Sequence, residues 1–491
     1  MQYYSTRDRR NGVSAAAAIA QGLARDGGLF VPQSIPQLSL DEIRQLRGRD
    51  YREKAVAVIG RYLDEFTEAE LTAFVGETYS ANYDSAEIAP TRFLDADTGI
   101  LELWHGPTCA FKDMALQMLP RLLTASLKKL GETRRVCILV ATSGDTGKAA
   151  LEGFADVEGA SIVVFYPYNG VSEVQKRQMT TQRGENVLVS AVKGNFDDVQ
   201  AGVKQVFGDR DFMQTLDKKG VFLSSANSIN WGRLLPQIVY YFSSYCDFVS
   251  SGRIKLGDGL DFCVPTGNFG DILAGWYAKK MGLPIRRLIC ASNANNVLTD
   301  FINTGVYDRN RAFHTTVSPS MDILVSSNLE RLLFMLSGDT AVKGWMEALK
   351  ATGRYDVGAE VLAAIRADFD CGCATDGTAK AFIAELFAKT GYLMDTHTAD
   401  AYAVLAEMRE TGARFPAVIV STASPYKFCD SVLDALGQNS AVPGAELIEK
   451  LAAATSTRPP KPLTGLFGKT QRFTGCVPKE KMQALVLDFL S

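Results

Sequence analysis

The sequence predicts an α/β fold: two doubly wound α/β domains behind a mainly helical N-terminal segment. Three observations point there. Between residues 136 and 292, short continuous apolar runs alternate with stretches of helical periodicity. Strands without polar alternation need cover on both faces, which parallel sheets flanked by crossover helices provide. Two strand-to-helix turns carry paired glycines beside hydroxyl residues, and such turns lie at the carboxyl ends of parallel strands. Finally, 491 residues allow about three domains at roughly 150 residues each. The expected division is 1–92 (mainly helical), 93–225 (smaller α/β domain) and 226–491 (larger α/β domain with helical insertions).

The elements follow in order. Ser14 in "NGVSAAAAIAQGLA" is an N-cap for an alanine-rich helix. The same run is too weakly apolar for the core of a secretory signal, so the expectation is a cytoplasmic protein. "DEIRQLRG", "YREKAVAVIGRYL" and "TEAELTAFVGETY" are further helices, with "GGLFVP" as a turn. "VCILVAT" opens the alternation and leads to "TGKAALEGFA". "SIVVFYP" leads to "VSEVQKRQMTTQ", and "NVLVSAV" to "FDDVQAGVKQVF". "VFLSSA" precedes one long helix, "NWGRLLPQIVYYFSSYCDF". "DFCVPTG" leads to "FGDILAGWYAKKMG", and "IRRLICAS" to "NNVLTDFINTG". Residues 320–412 are helix-rich, and "PAVIVST" with "YKFCDSVLDALG" adds a last strand and helix. Right-handed crossovers make this pattern doubly wound.

Composition is that of an ordinary globular chain, 46% hydrophobic and 22% charged. A net charge of −3 lacks the basic face that nucleic acid or an anionic membrane surface demands. No apolar run reaches the 18 residues or so of a membrane span. Nine irregularly spaced cysteines do not form a disulfide framework. Cys371-Gly-Cys373 has too short a spacer for a zinc pair, and only three histidines exist, so no metal is expected. Reduced thiols in a reducing compartment fit the count.

Chemistry concentrates in four stretches. "LWHGPTCAFKDMALQ" places Lys112 among a proline, an aromatic and an acid; Trp104 and Phe111 read as packing residues and His105 as a structural hydrogen-bonder. "LVATSGDTGKAA" and "CVPTGNFGDILAG" each run strand, hydroxyl residue, glycines, helix. Glycines admit close approach of a ligand, and free N–H groups at a helix N-terminus attract anions. Two such turns imply an anionic ligand with more than one charged group. "GDTGK" is not a nucleotide P-loop, because Thr142 and Ala149 occupy positions where that motif needs glycine and a hydroxyl. The dinucleotide pattern is absent too. "VIVSTASPYKF" ends the late strand with Ser421 and Thr422, a helix cap or a ligand contact.

Together "HGPTCAFKDMALQ", "ATSGDTGKAA", "NSINWGRLLPQ", "PTGNFGDILAG" and "STASPYKF", with "GLARDGGLFVP" nearer the N-terminus, resemble the threonine synthases among the fold-type-II pyridoxal-phosphate enzymes. The resemblance runs from residue 22 to about 430. It implies pyridoxal 5'-phosphate as cofactor, with Lys112 forming the Schiff base and shuttling protons. Gly267, Asn268, Phe269 and Gly270 would cradle the cofactor phosphate, with Asp271 adjoining, and Thr422 would bond the pyridine nitrogen. Asp145 would contact the cofactor, although many relatives have Asn there. Thr142, Ser143, Gly144 and Thr146 would receive the substrate carboxylate, and Asn230, Arg233 and Lys427 its phosphate. The implied reaction converts O-phospho-L-homoserine and water to L-threonine and phosphate, in a monomer or homodimer. The rivals are a phospho-lyase acting on the same substrate, a serine or threonine dehydratase, and a catalytically inactive regulatory homologue.

Overall fold

Two parallel sheets organise the chain in a computed structural model that describes residues 1–412 and 414–491. The first is five-stranded and wholly parallel, in the order Cys476–Val477, Val187–Val192, Ala160–Pro167, Arg135–Ala141, Val221–Ser224. The second is six-stranded, in the order Phe369–Cys373, Ile285–Ser292, Leu260–Pro265, Ala417–Ser421, Thr98–Glu102, Thr91–Phe93. Only its last pair is antiparallel.

The continuous apolar strands have the expected cause. Val136, Ile138 and Val140 face one core cluster, while Cys137 and Leu139 on the same strand face another. In the second sheet, Val418 and Val420 join the first cluster, and Ala417 and Ile419 a third. Both faces of each sheet are therefore covered by helices, and alternation of side chains serves two apolar layers instead of one apolar and one wet. The α/β class holds. Among the described residues, no helix is long and apolar enough to cross a membrane.

Three departures from expectation have physical reasons. The sheets do not respect the division at 92 and 225: Thr98–Glu102 pairs with Ala417–Ser421 in the second sheet, and Cys476–Val477 extends the first. Strand pairing joins residues hundreds of positions apart, which no local composition shift signals. The N-terminal segment has its helices (Ala15–Gln21 capped by Ser14, Leu40–Leu46, Tyr51–Ile59, Glu68–Thr78) but also an antiparallel sheet. Tyr3–Ser5 lies between Asp8–Val13 and Phe30–Pro32 there, so part of the expected turn "GGLFVP" is a strand. The long helix after Asn230 is three pieces: Trp231–Leu234, a 3-10 turn Leu235–Gln237 and Ile238–Ser250. Pro236 lacks an N–H and crowds the preceding turn, which breaks the regular ladder. Cys371 and Cys373 lie on the edge strand Phe369–Cys373.

Candidate functional site

The lysine segment hangs from the carboxyl end of the second sheet. After Thr98–Glu102 the chain loops back, and the Phe111 N–H donates to the Thr422 carbonyl at 2.8 Å. The Ser424 N–H donates to the Cys109 carbonyl at 3.1 Å, and Ala110 bridges Ala423. Asp113 locks the loop, accepting from the Thr108 N–H at 2.8 Å and its hydroxyl at 2.7 Å. Burial pushes the Asp113 carboxyl up to about 6. A Cβ on Gly106 would lie 2.6 Å from that side chain, so glycine is needed for the close approach.

Lys112 opens the helical turn Asp113–Leu116 with its side chain in the site. Its Nζ donates to Ser320 Oγ at 3.4 Å and lies 3.7 Å from Asp145 Oδ2. Burial, and then the charges of Lys427 and Arg233, hold its amine below the ordinary lysine range, against the opposing pull of Asp145. Asp145 begins the helix Asp145–Phe154 and accepts from Lys427 Nζ at 2.7 Å and Gln175 Nε2 at 2.9 Å. Burial favours its neutral form, but the two lysines and these bonds outweigh it and keep the carboxylate ionised. Lys427 is fully buried and also donates to the Thr108 carbonyl at 2.8 Å. It is thus first the partner of Asp145, with a single donor left for a substrate.

The loop before Asp145 folds on itself. Thr142 Oγ1 accepts from the Gly144 N–H at 3.0 Å and the Gly147 N–H at 2.8 Å. Gly144 sits at φ 138°, where a Cβ would also press within 2.5 Å of Gln175. Ser143 and Thr146 are half-buried beside it. Thr142 therefore shapes the loop, a role its placement as a substrate contact did not anticipate.

The second turn is open. It follows Leu260–Pro265 and leads into the helix Gly270–Lys280. The N–H groups of Asn268, Phe269, Gly270 and Asp271 have no acceptor among the described residues. The turn is braced through its carbonyls: Gly267 O accepts from Ser326 Oγ at 2.7 Å, and Asn268 O from the Asn328 N–H and Nδ2 at 3.1 and 3.0 Å. Phe269 takes φ 62°, and its ring is buried against Phe369 at 5.6 Å, so only its backbone faces the cup. A Cβ on Gly267 would lie 2.7 Å from the Ser320 carbonyl. The Asp271 carboxylate turns inward and accepts from the hydroxyls of Tyr240 (2.6 Å) and Tyr241 (2.8 Å). Burial pushes it up to about 6. Its side chain anchors the turn and does not line it.

Thr422 is buried, and its hydroxyl has no hydrogen-bond partner among the described residues. Arg233 is buried with one bond, Nη1 to the Ala226 carbonyl at 2.9 Å; its Nε has no partner, and burial alone pushes it down to about 10. The Asn230 side-chain carbonyl caps the Gly232 N–H at 2.8 Å and its amide donates to the Ile19 carbonyl at 3.0 Å. It is a buried helix cap, its side-chain oxygen and one of its two amide N–H donors already engaged within the protein. His105 is held between Asp84 (2.6 Å) and Glu102 (2.9 Å). Burial opposes its charge, but the two carboxylates raise it to about 9. Sequence reasoning missed Gln175, Ser320, Ser326, Asn328 and the buried pair Asp395–His397, which lie in turns or caps without a local chemical pattern.

The site therefore joins a low-pKa amine, an unsatisfied N–H cup, a free neutral hydroxyl and a buried arginine without a carboxylate partner. Known proteins share this arrangement's sequence. Residues 100–423 match the family model "Pyridoxal-phosphate dependent enzyme", residues 2–79 "Threonine synthase N terminus" and residues 398–486 "Threonine synthase, C-terminal". Threonine synthase of Pseudomonas aeruginosa is 42% identical over 92% of this chain and 94% of its own length. Threonine synthase-like 1 of Homo sapiens is 42% identical over 85% of this chain, which spans only 57% of that protein's length. A crystal structure titled as PLP-bound threonine synthase from Brucella melitensis superposes with a TM-score of 0.88 at 39% identity, covering 100% of this chain and 98% of that one. The chain belongs to the pyridoxal-phosphate dependent enzymes and, within them, to the threonine synthase family.

Proposed function

We propose that this chain converts O-phospho-L-homoserine and water to L-threonine and phosphate, using pyridoxal 5'-phosphate. The observation that carries this reading is the pairing of two separate anion-seeking features around one lysine: the open N–H cup of Asn268–Asp271 and the uncompensated guanidinium of Arg233. The residues fit the cofactor. The cup suits its phosphate, because unpaired amides at a helix N-terminus favour an anion. The free Thr422 hydroxyl suits the ring nitrogen as a neutral partner, and Lys112 suits the aldehyde. Bound there, the cofactor would supply a conjugated electron sink that makes a substrate Cα proton acidic.

The chain's own groups do the rest. Burial leaves more of the Lys112 amine neutral near pH 7 than an ordinary lysine, which suits it to take the Cα proton, then a Cβ proton whose electron pair expels phosphate from Cγ, and to return protons later. Asp145, kept ionised by Lys427, holds Lys112 near the loop where Ser143, Gly144 and Thr146 would receive the substrate carboxylate. Arg233 binds the substrate phosphate and stabilises its charge as the Cγ–O bond breaks. Water then adds its hydroxyl at Cβ. The nine cysteines, all free thiols, suit a cytoplasmic enzyme, and a monomer or homodimer suffices because every group named comes from one chain.

Incubation of purified enzyme with O-phospho-L-homoserine tests this directly. Threonine and phosphate are the expected products; a keto acid would replace the synthase reading by the phospho-lyase one. Lys112→Ala should abolish turnover and the visible absorbance of the purified protein. Arg233→Ala should lower kcat/KM by about 2–4 kcal/mol and relieve competitive inhibition by phosphate. An Arg233→Ala enzyme with unaltered phosphate inhibition would remove the second anion site.

A further inference from the structure

We infer that Ser320 is a positioning residue for the Lys112 amine, and that the buried Asp395–His397 pair holds Ser320 in place. The inference deepens the proposed function and rests on Lys112 as its proton carrier.

Lys112 Nζ donates to Ser320 Oγ at 3.4 Å, its one hydroxyl partner among the described residues. A lysine side chain has four rotatable bonds, and a buried amine that must take a proton has to present its lone pair in one direction. A hydroxyl that accepts one N–H limits that freedom. Ser320 itself is unusually well fixed. Its backbone N–H donates to His397 Nε2 at 3.1 Å. A nitrogen that accepts carries no proton, so the proton of the neutral ring sits on Nδ1 and donates to Asp395 Oδ2 at 2.7 Å. Asp395 also accepts from the N–H groups of His397 (3.0 Å) and Thr398 (3.1 Å), which makes it the N-cap of the helix Thr396–Thr411. Asp395 and His397 are 0% and 2% exposed, and the ring packs on Phe428 at 4.9 Å.

The same helix turn also grips the two residues at positions 317 and 318, just before Ser320. Thr396 Oγ1 donates to the Val317 carbonyl at 2.7 Å, and Ser318 Oγ donates to Asp400 at 2.6 Å. On its other side the Ser320 carbonyl occupies the space a Cβ on Gly267 would need. Ser320 thus touches the amine with its side chain, the anion cup with its carbonyl and the His397 brace with its N–H. One residue sets the distance between the lysine and the cup.

Three readings of Ser320→Ala against wild type test this. The first is steady-state kinetics, where kcat should fall on the order of ten- to a hundredfold with KM little changed. The second is the pH dependence of Lys112 acetylation in the cofactor-stripped full chain, read by peptide mass spectrometry. Asp145, Lys427, Arg233 and Asp271 are the other charged groups that act on this amine. Losing the acceptor should lower its apparent pKa by roughly half a unit to one unit. The third is the thermal midpoint, which should stay close to wild type. Ser320→Thr, which keeps the hydroxyl, should restore both kcat and the acetylation profile. His397→Leu should reproduce the kinetic loss, and His397→Gln, which keeps an acceptor, should recover part of it. An unchanged acetylation profile in Ser320→Ala overturns the inference, as does a kcat loss that Ser320→Thr fails to rescue. If Ser320→Ala does not fold, the Thr variant must still match the wild-type profile for the inference to stand. Failure of the wild type to make threonine would sink the proposed function alone, because the acetylation profile reads the Ser320 contact without turnover.

Discussion

The turns at Thr142–Gly147 and Thr266–Asp271 are written alike and behave in opposite ways. In each a threonine follows a strand and precedes glycines and a helix. Thr142 accepts forward, from two N–H groups of its own turn, which closes it. Thr266 donates backward, to the Val264 carbonyl at 2.7 Å, which leaves the amides ahead of it open. The acids at the two helix starts diverge in step. Asp145 is kept ionised by lysines, whereas Asp271 is pushed toward its neutral form by burial. An incoming phosphate therefore meets four open amides at one turn, and at the other a carboxylate held ionised by lysines with two of the amides already taken. A glycine pattern announces close approach, but the direction in which one hydroxyl points decides how many amides are left for an anion.

The contrast can be broken by substitution. Gly267→Val drives a branched side chain onto the Ser320 carbonyl and should weaken cofactor retention on the order of a hundredfold. Gly270→Ala should be mild, since its Cβ would meet only Asn328 at 3.5 Å. Equal cofactor dissociation constants for wild type and Gly267→Val, measured by absorbance titration, would relocate the cup. Thr142→Val removes the acceptor for two N–H groups and should cost about 1–3 kcal/mol in kcat/KM through KM, with cofactor retention unchanged. A loss of cofactor in that variant would merge the two turns into one function.

Smaller effects test what surrounds the turns. The His105 pKa rises from 6.5 to about 9, so the Asp84–His105–Glu102 clamp contributes fully below about pH 6.5 and is lost as pH climbs through about 9. Thermal midpoints should fall more steeply over that window in wild type than in His105→Gln, by the equivalent of about 1–3 kcal/mol. Parallel curves would mean the ring is not charged in the fold. Asn230→Ala should cost about 1 kcal/mol of stability and leave phosphate inhibition alone, as befits a cap. A large rise in the phosphate inhibition constant would return Asn230 to the substrate site.

What was legible in the sequence is what local pattern encodes. "VCILVAT" and "SIVVFYP" declare buried strands because every residue must satisfy an apolar layer, and Ser14 declares a helix start because its oxygen meets the Ala17 N–H. Lys112, the open cup and Arg233 were legible through motifs. The first sheet of the N-terminus was not, because Asp8–Val13 is polar and mostly exposed and its pairing partner supplies the order. Ser320 and His397 were silent for a related reason. Their roles arise from a contact between residues 77 positions apart, and neither "SPSM" nor "DTHT" carries a chemical pattern by itself.

The pairing of Thr98–Glu102 with Ala417–Ser421 also governs how the protein is made. Lys112 leaves the ribosome early, yet the strand end that supports it is synthesised some three hundred residues later. The first sheet has its four longer strands by residue 224 and waits only for Cys476–Val477. Vectorial synthesis thus yields one assembled half and one half open at its centre until the chain is nearly complete. Contacts of such long sequence separation close slowly. A nascent or truncated chain ending before residue 417 carries every residue of the lysine motif but lacks the strand end that aims it.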